Sequence, residues 1–270
     1  MAKLNRRSFI AGASTIPLAW CFEGYAGRPG NGGERAGEPS PGPQPGVLVR
    51  YHAHSTEGQA MLQIYDRAVG KMQQAIAEGD PMGWVFQWYL HGGKGPSSTP
   101  DQNNVGEIAR VHPSSGPHKA LAEEIWNVWQ AHSFSGDESF LLARHRMFLY
   151  FFEQVVRQVS GEASFTLPYW SHTHLASSLH DHINVLTGDG QNMGPVPWPA
   201  GDFWAHHCNV DRLWASWNVG GRTKPTDPAW LDWTFVFADA GGQRVEAKVG
   251  DFMAIAPLGY SYQDLEAVPA

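Results

Sequence analysis

Thirteen histidines and only two cysteines set the chemistry open to this chain. Cys21 falls in a leader-like N-terminal stretch, so Cys208 stands alone in the rest. That arithmetic excludes a disulfide framework and any thiolate-rich zinc or iron–sulfur site. Imidazole without thiolate or clustered carboxylate suits copper, zinc or iron. Two histidines are singled out by their neighbours. His145 shares a helical face with Phe148, Leu149, Phe152, Val156 and Val159. His207 shares one with Val210, Asp211, Trp214 and Asn218. A single histidine on such a face is as a rule a hydrogen-bonded core residue. Two helices that each aim an imidazole inward can instead build a metal site between them. Asp211 sits one turn after His207. It is placed to accept from the second nitrogen of a ligand imidazole, as carboxylates beside metal ligands do. Its bland alternative is a surface ion pair with an arginine, though not with adjacent Arg212, which faces elsewhere on a helix.

These side chains need elements to hold them. The clearest helix runs from about Leu141 to Gly161, and a further one follows Gly201. Within 58–78, Met61, Ile64, Tyr65, Ala68, Met72, Ala75 and Ile76 recur at helical spacing, and Asp80-Pro81 breaks the run. WVFQWYLHGG is a second apolar run that ends at His91. Residues 92–118 are rich in Gly, Pro, Ser and Asn and read as a long loop; 119–132 read as helix again, with His132 at the end. From Asp232 the texture changes to TFVFAD and RVEAKV, joined by Gly241-Gly242, which predicts a β-hairpin. The expected architecture is mainly α, a four-helix core with a small C-terminal β segment. Twelve tryptophans supply an aromatic interior.

The net charge of −7 and the lack of a basic run argue against nucleic acid or an anionic membrane as partner. NRRSFI from Asn5 to Ile10 places twin arginines before the apolar run AGASTIPLAW, and Gly24 to Ala26 offers small residues for cleavage. Residues 1–26 therefore read as a twin-arginine signal, which implies export to the periplasm or beyond and no membrane attachment after cleavage. The rival, a lipid on Cys21, is disfavoured by bulky Trp20. Residues 27–46 read as a flexible Gly/Pro-rich linker.

Several words of the sequence resemble one family. HRMFLYFFE from His145 with FTLPYW from Phe165, FWAHHCNVDRLWASWN from Phe203, WYLHGG, WNVWQAH, and DWTFVFADAGGQRVEAKVGDF with LGYSYQDL occur in order. Together they resemble the type-3 copper proteins of the tyrosinase, catechol oxidase and polyphenol oxidase family over roughly residues 47–265. The resemblance implies a copper domain over 47–224 and a DWL-like β segment over 225–270. It implies two copper ions in the four-helix core, the first held by His91, His132 and His145, the second by His180 and His207 rather than His206. It implies dioxygen and a small phenol as reactants, with o-diphenols, and monophenols as a further class, converted to o-quinones.

The departures are specific. The family sets two histidines four residues apart on the first helix of the second site; here Asn184 follows His180 at that spacing. His182 points the opposite way on a regular helix, so the sixth ligand is Asn184 or, if that helix is distorted, His182. The stretch from Trp170 to His180 is shorter than usual and lacks a loop that often carries a water-orienting glutamate. Arg144 replaces a common aromatic residue, and no cysteine lies between His91 and His132 to form a thioether. The alternative reading is thus a non-catalytic or weakly active copper or dioxygen-binding relative with an incomplete second site. An oxidase of aromatic amines is a further rival. His52, His54, His112 and His118 are expected to be solvated, and His172 and His174 to lie at the surface.

Overall fold

The computed structural model describes residues 46–90, 108–128, 140–170, 200–219 and 225–265. β1 (Leu48–Arg50) is followed by α1 (Thr56–Gln74), α2 (Trp84–Leu90), α3 (Pro117–Val128), α4 (Leu141–Ser160) and α5 (Ala200–Val219). A short α6 (Pro228–Leu231), the strands β2 (Thr234–Ala238) and β3 (Arg244–Lys248), 3-10 turns at Val249–Phe252 and Ala256–Leu258, and β4 (Tyr260–Tyr262) follow. The protein is helix-rich with few strands.

Local chemistry sets the helix limits. Ser55 caps α1 by accepting from the Gly58 amide at 3.0 Å, and Glu57 favours the positive end of the helix dipole. The helix ends at Gln74, short of the expected 78. The helix thus stops well before Pro81, and the chain enters two turns, closed by the Asp80 amide donating to the Ala77 carbonyl and the Gly83 amide to that of Asp80, the second of which contains Pro81. Two further expectations need correction within 92–118. Residues 108–111 are helical, and α3 opens at Pro117, since proline at a first helical position forfeits no internal hydrogen bond. α4 stops where predicted because Gly161 takes the left-handed conformation (φ +79°).

Four helices converge on Phe152 of α4. Its ring meets Tyr65 of α1 edge-on at 6.4 Å, Trp84 of α2 edge-on at 6.5 Å, and Trp204 of α5 in a stack at 3.7 Å. Directional aromatic contacts of this kind add to plain area burial. The hairpin forms as expected, with Thr234 opposite Lys248 and Ala238 opposite Arg244. Its turn is closed by Asp239, whose carboxylate accepts from the Gly241 and Gln243 amides, and needs glycine at 242, where φ is +75°. Phe237 on the inner face stacks on Phe151 of α4 at 5.0 Å, which seats the hairpin against the helical core. Sequence periodicity missed one pairing. β1 and β4 run parallel, Leu48 beside Tyr260 and Arg50 beside Tyr262, joining segments far apart in the chain.

Candidate metal centre

α4 and α5 pack against each other and bring His145 and His207 together. The two rings lie stacked, centroids 5.0 Å apart and planes 18° apart, and both are buried. His145 Nδ1 donates to the Leu141 carbonyl at 2.7 Å. A carbonyl oxygen only accepts, so a proton sits on Nδ1, and in the neutral ring Nε2 then keeps its lone pair, the form a metal ligand requires. The same hydrogen bond would also serve a purely structural histidine; the stacked second imidazole is what distinguishes this one. His206 lies across His207, centroids 5.5 Å apart and planes 82° apart. Cys208 is fully buried, and burial pushes its thiol far above the ordinary range, so it offers no thiolate. The paired imidazoles of α4 and α5 are then the candidate donors, a type that suits copper.

The structure places only part of the expected ligand set. Among the described residues, no three His, Cys, Asp or Glu side chains come close enough to hold an ion. His91, His132, His180, His182 and Asn184 lie outside the described residues. His145 and His207 are the two expected ligands whose geometry is known, one for each proposed copper.

Asp211 is neither the imidazole acceptor nor the surface ion pair expected of it. It is buried, and its donors are two arginines and two tyrosines. Oδ1 accepts from Arg146 Nε at 2.5 Å. Oδ2 accepts from Arg50 Nη1 at 3.2 Å, Tyr260 Oη at 2.7 Å and Tyr262 Oη at 2.6 Å. Arg50 also donates from Nε to Glu153 at 2.9 Å and lies 3.9 Å over the Tyr260 ring. Arg146 donates to the Phe252 carbonyl at 3.0 Å and lies 3.8 Å over Trp214. Two guanidiniums thus face two carboxylates in a buried network that joins β1, α4, α5 and β4. Burial alone would raise the Asp211 carboxyl, but Arg146, Arg50 and the tyrosine hydroxyls outweigh it and hold it below the usual carboxylate range.

None of these partners was read from the sequence. One signal was there: Tyr-Ser-Tyr at 260–262 puts both phenols on one face of a strand. A second was the presence of Arg146 and Glu153 among the buried, mostly apolar residues of α4. His112 also departs from expectation. It is buried rather than solvated, its imidazole packed where a Cβ on Gly79 would come within 2.6 Å. His54 is exposed, while His52 and His118 are partly covered. His172 and His174 lie outside the described residues. Arg144 is buried beneath the hairpin, 5.8 Å from the rings of Phe235 and Phe237.

Two family descriptions match the chain: the common central domain of tyrosinase, over residues 102–191 and 171–219, and the polyphenol oxidase middle domain, over residues 224–269. Tyrosinase HcTyr1 of Hahella sp. (strain CCB-MM4) is 26% identical over 291 residues, covering 74% of this chain and 60% of that protein. Aureusidin synthase of Antirrhinum majus is 45% identical over 97 residues, 32% of this chain and 17% of that one. Among solved structures, latent apple tyrosinase shares the fold with a TM-score of 0.52 at 22% identity, over 84% of this chain and 64% of that chain. The chain thus spans less than two thirds of the length of either HcTyr1 or apple tyrosinase. No helix among the described residues is long and apolar enough to cross a membrane.

Proposed function

Because the chain belongs to the tyrosinase and polyphenol oxidase family of copper oxidases acting on phenols, we propose that it oxidises o-diphenols to o-quinones with dioxygen, monophenols being a further substrate class. The observation that carries this reading is the stacked pair His145 and His207 on facing buried helices. The first copper is assigned to His91, His132 and His145. The second is assigned to His180, His207 and either Asn184 or His182. The bound copper ions would supply the redox chemistry, taking electrons from the phenol and passing them to dioxygen. Two diphenols becoming two quinones release four electrons and four protons, which reduce one dioxygen to two waters. The chain's own part is to hold each imidazole with its lone pair turned to the metal, as the Leu141 carbonyl does for His145, and to keep water out. Trp204, Phe148 and Phe152 pack into a dry aromatic layer on these same two helices. The test is oxygen uptake and quinone absorbance with catechol on the copper-loaded full chain. A copper-loaded chain that consumes no oxygen with any o-diphenol contradicts it.

Asn184 favours the second reading, a weakly active or non-catalytic relative. An amide offers copper a carbonyl oxygen, a harder donor than imidazole nitrogen. If losing an outer partner of a ligand costs about 10–100-fold in affinity, losing a ligand imidazole should cost at least as much. Asn184→His is therefore expected to raise copper occupancy towards two per chain and to speed diphenol oxidation. If the shortened segment before His180 has turned the helix so that His182 is the ligand, Asn184→His changes nothing and His182→Ala releases copper. Copper per chain in both variants separates the two arrangements.

Export by the twin-arginine route belongs to the same reading, since that route carries folded, cofactor-loaded proteins. Arg6→Lys with Arg7→Lys should leave precursor in the cytoplasm, as fractionation would detect. Normal delivery of that double variant to the periplasm contradicts it.

A further inference from the structure

The Arg146–Asp211 ion pair joins the two helices that carry the proposed copper ligands His145 and His207. Arg146 follows His145 directly on α4, and Asp211 follows His207 by one turn on α5. The pair bridges these two helices through one hydrogen bond of 2.5 Å between side chains almost wholly removed from water. Neither partner has room to drift. Arg146 is fixed on its other sides by the Phe252 carbonyl and the Trp214 ring, and Asp211 by Tyr260, Tyr262 and Arg50.

The neighbouring α4–α5 side-chain contacts are between rings, His145 with His207 and both Phe148 and Phe152 with Trp204. Ring contacts favour certain orientations, but they resist sliding of one helix past another less than a buried charge pair does. A buried ion pair is directional: displacing α5 along α4 by a fraction of a turn would leave two charges buried without their partner. We infer that Arg146 and Asp211 form a spacer that sets the register of α4 against α5, and so the separation of the His145 and His207 imidazoles. They are positioning residues. Neither is assigned as a ligand, and the spacer rests on the copper reading above only in what the two imidazoles are held for.

Arg146→Lys keeps the positive charge but loses the planar fork that reaches Asp211 and Phe252 together and stacks on Trp214. Asp211→Asn removes the charge at nearly constant volume and serves if the first variant folds poorly. Glu153→Gln is the control. It weakens the same buried network through Arg50, on α4 two turns beyond His145, without touching the pair. Two readouts are taken on the full chain: copper affinity by competition titration, and histidine-ring nitrogen resonances of the metal-free protein. The expected result is about a 10–100-fold loss of copper affinity in Arg146→Lys and Asp211→Asn. His145 and His207 ring resonances should shift in both, while Glu153→Gln lowers thermal stability and leaves both readouts at wild-type values. Equal losses of affinity in all three variants, or unshifted imidazole resonances in the two spacer variants, overturn the inference. If the wild-type chain takes up no copper, the oxidase reading fails, and the resonances of the metal-free chain still decide the spacer.

Discussion

Alanine at His145 should release one copper ion per chain, and alanine at His207 the other, with helix content unchanged in both variants. Each imidazole is buried, and each comes from a different helix of the stacked pair. Partners that merely orient a ligand are worth about 10–100-fold in metal affinity or activity, so removing the ligand itself should exceed that range. Phenol oxidation should fall with the copper, because a single ion cannot share the work of two. The helices themselves should survive. α4 is held along its length by Phe148, Leu149, Phe152, Val155 and Val156, none of which the change touches. His206→Ala is the paired control: its ring lies across that of His207, and both coppers should remain. Copper per chain and far-ultraviolet circular dichroism on the three variants check this. Unchanged copper in His145→Ala would remove it from the ligand set.

Asp211→Ala is expected to be among the most destabilising single substitutions in the protein. It leaves Arg50 and Arg146 facing each other across a dry site, and breaking a buried pair by removing one partner typically costs about 3–5 kcal/mol. The tyrosine hydroxyls of Tyr260 and Tyr262 lose their acceptor at the same time. The pH dependence follows from the sign of the shift. The folded carboxyl lies below its unfolded value of about 4, so its stabilisation is complete above that value and is lost as pH falls through the folded one. Wild-type stability should therefore decline as the medium is taken below about pH 4, and Asp211→Asn should show a shallower decline. Denaturant midpoints at a series of pH values measure both. Equal slopes for the two proteins would mean that Asp211 titrates alike folded and unfolded.

The parts of the structure legible in the sequence are those with long repeats. The 20 residues of α4 display several turns of the same apolar face, and Gly161 announces its end. Gly241-Gly242 between alternating runs announced the hairpin, because only glycine takes φ +75° there without strain. His145 and His207 were legible as a pair because each interrupts an apolar helical face. The β1–β4 pairing was not, since strands of three residues carry no measurable period. The partners of Asp211 were illegible for a different reason. Arg50, Arg146, Tyr260 and Tyr262 come from three other elements, and the demand of one buried carboxylate for donors appears only once those elements are packed. His112 misled because its neighbours look loop-like, while its burial depends on the close approach that Gly79 allows.

The most direct test of the account is a copper titration of the metal-free full chain, read as ions bound per chain at saturation and as stepwise affinity. The account predicts two ions, the first bound at least about 10-fold more tightly than the second if Asn184 holds the sixth position. Saturation at zero copper, or at one ion that survives the loss of either His145 or His207, would contradict it.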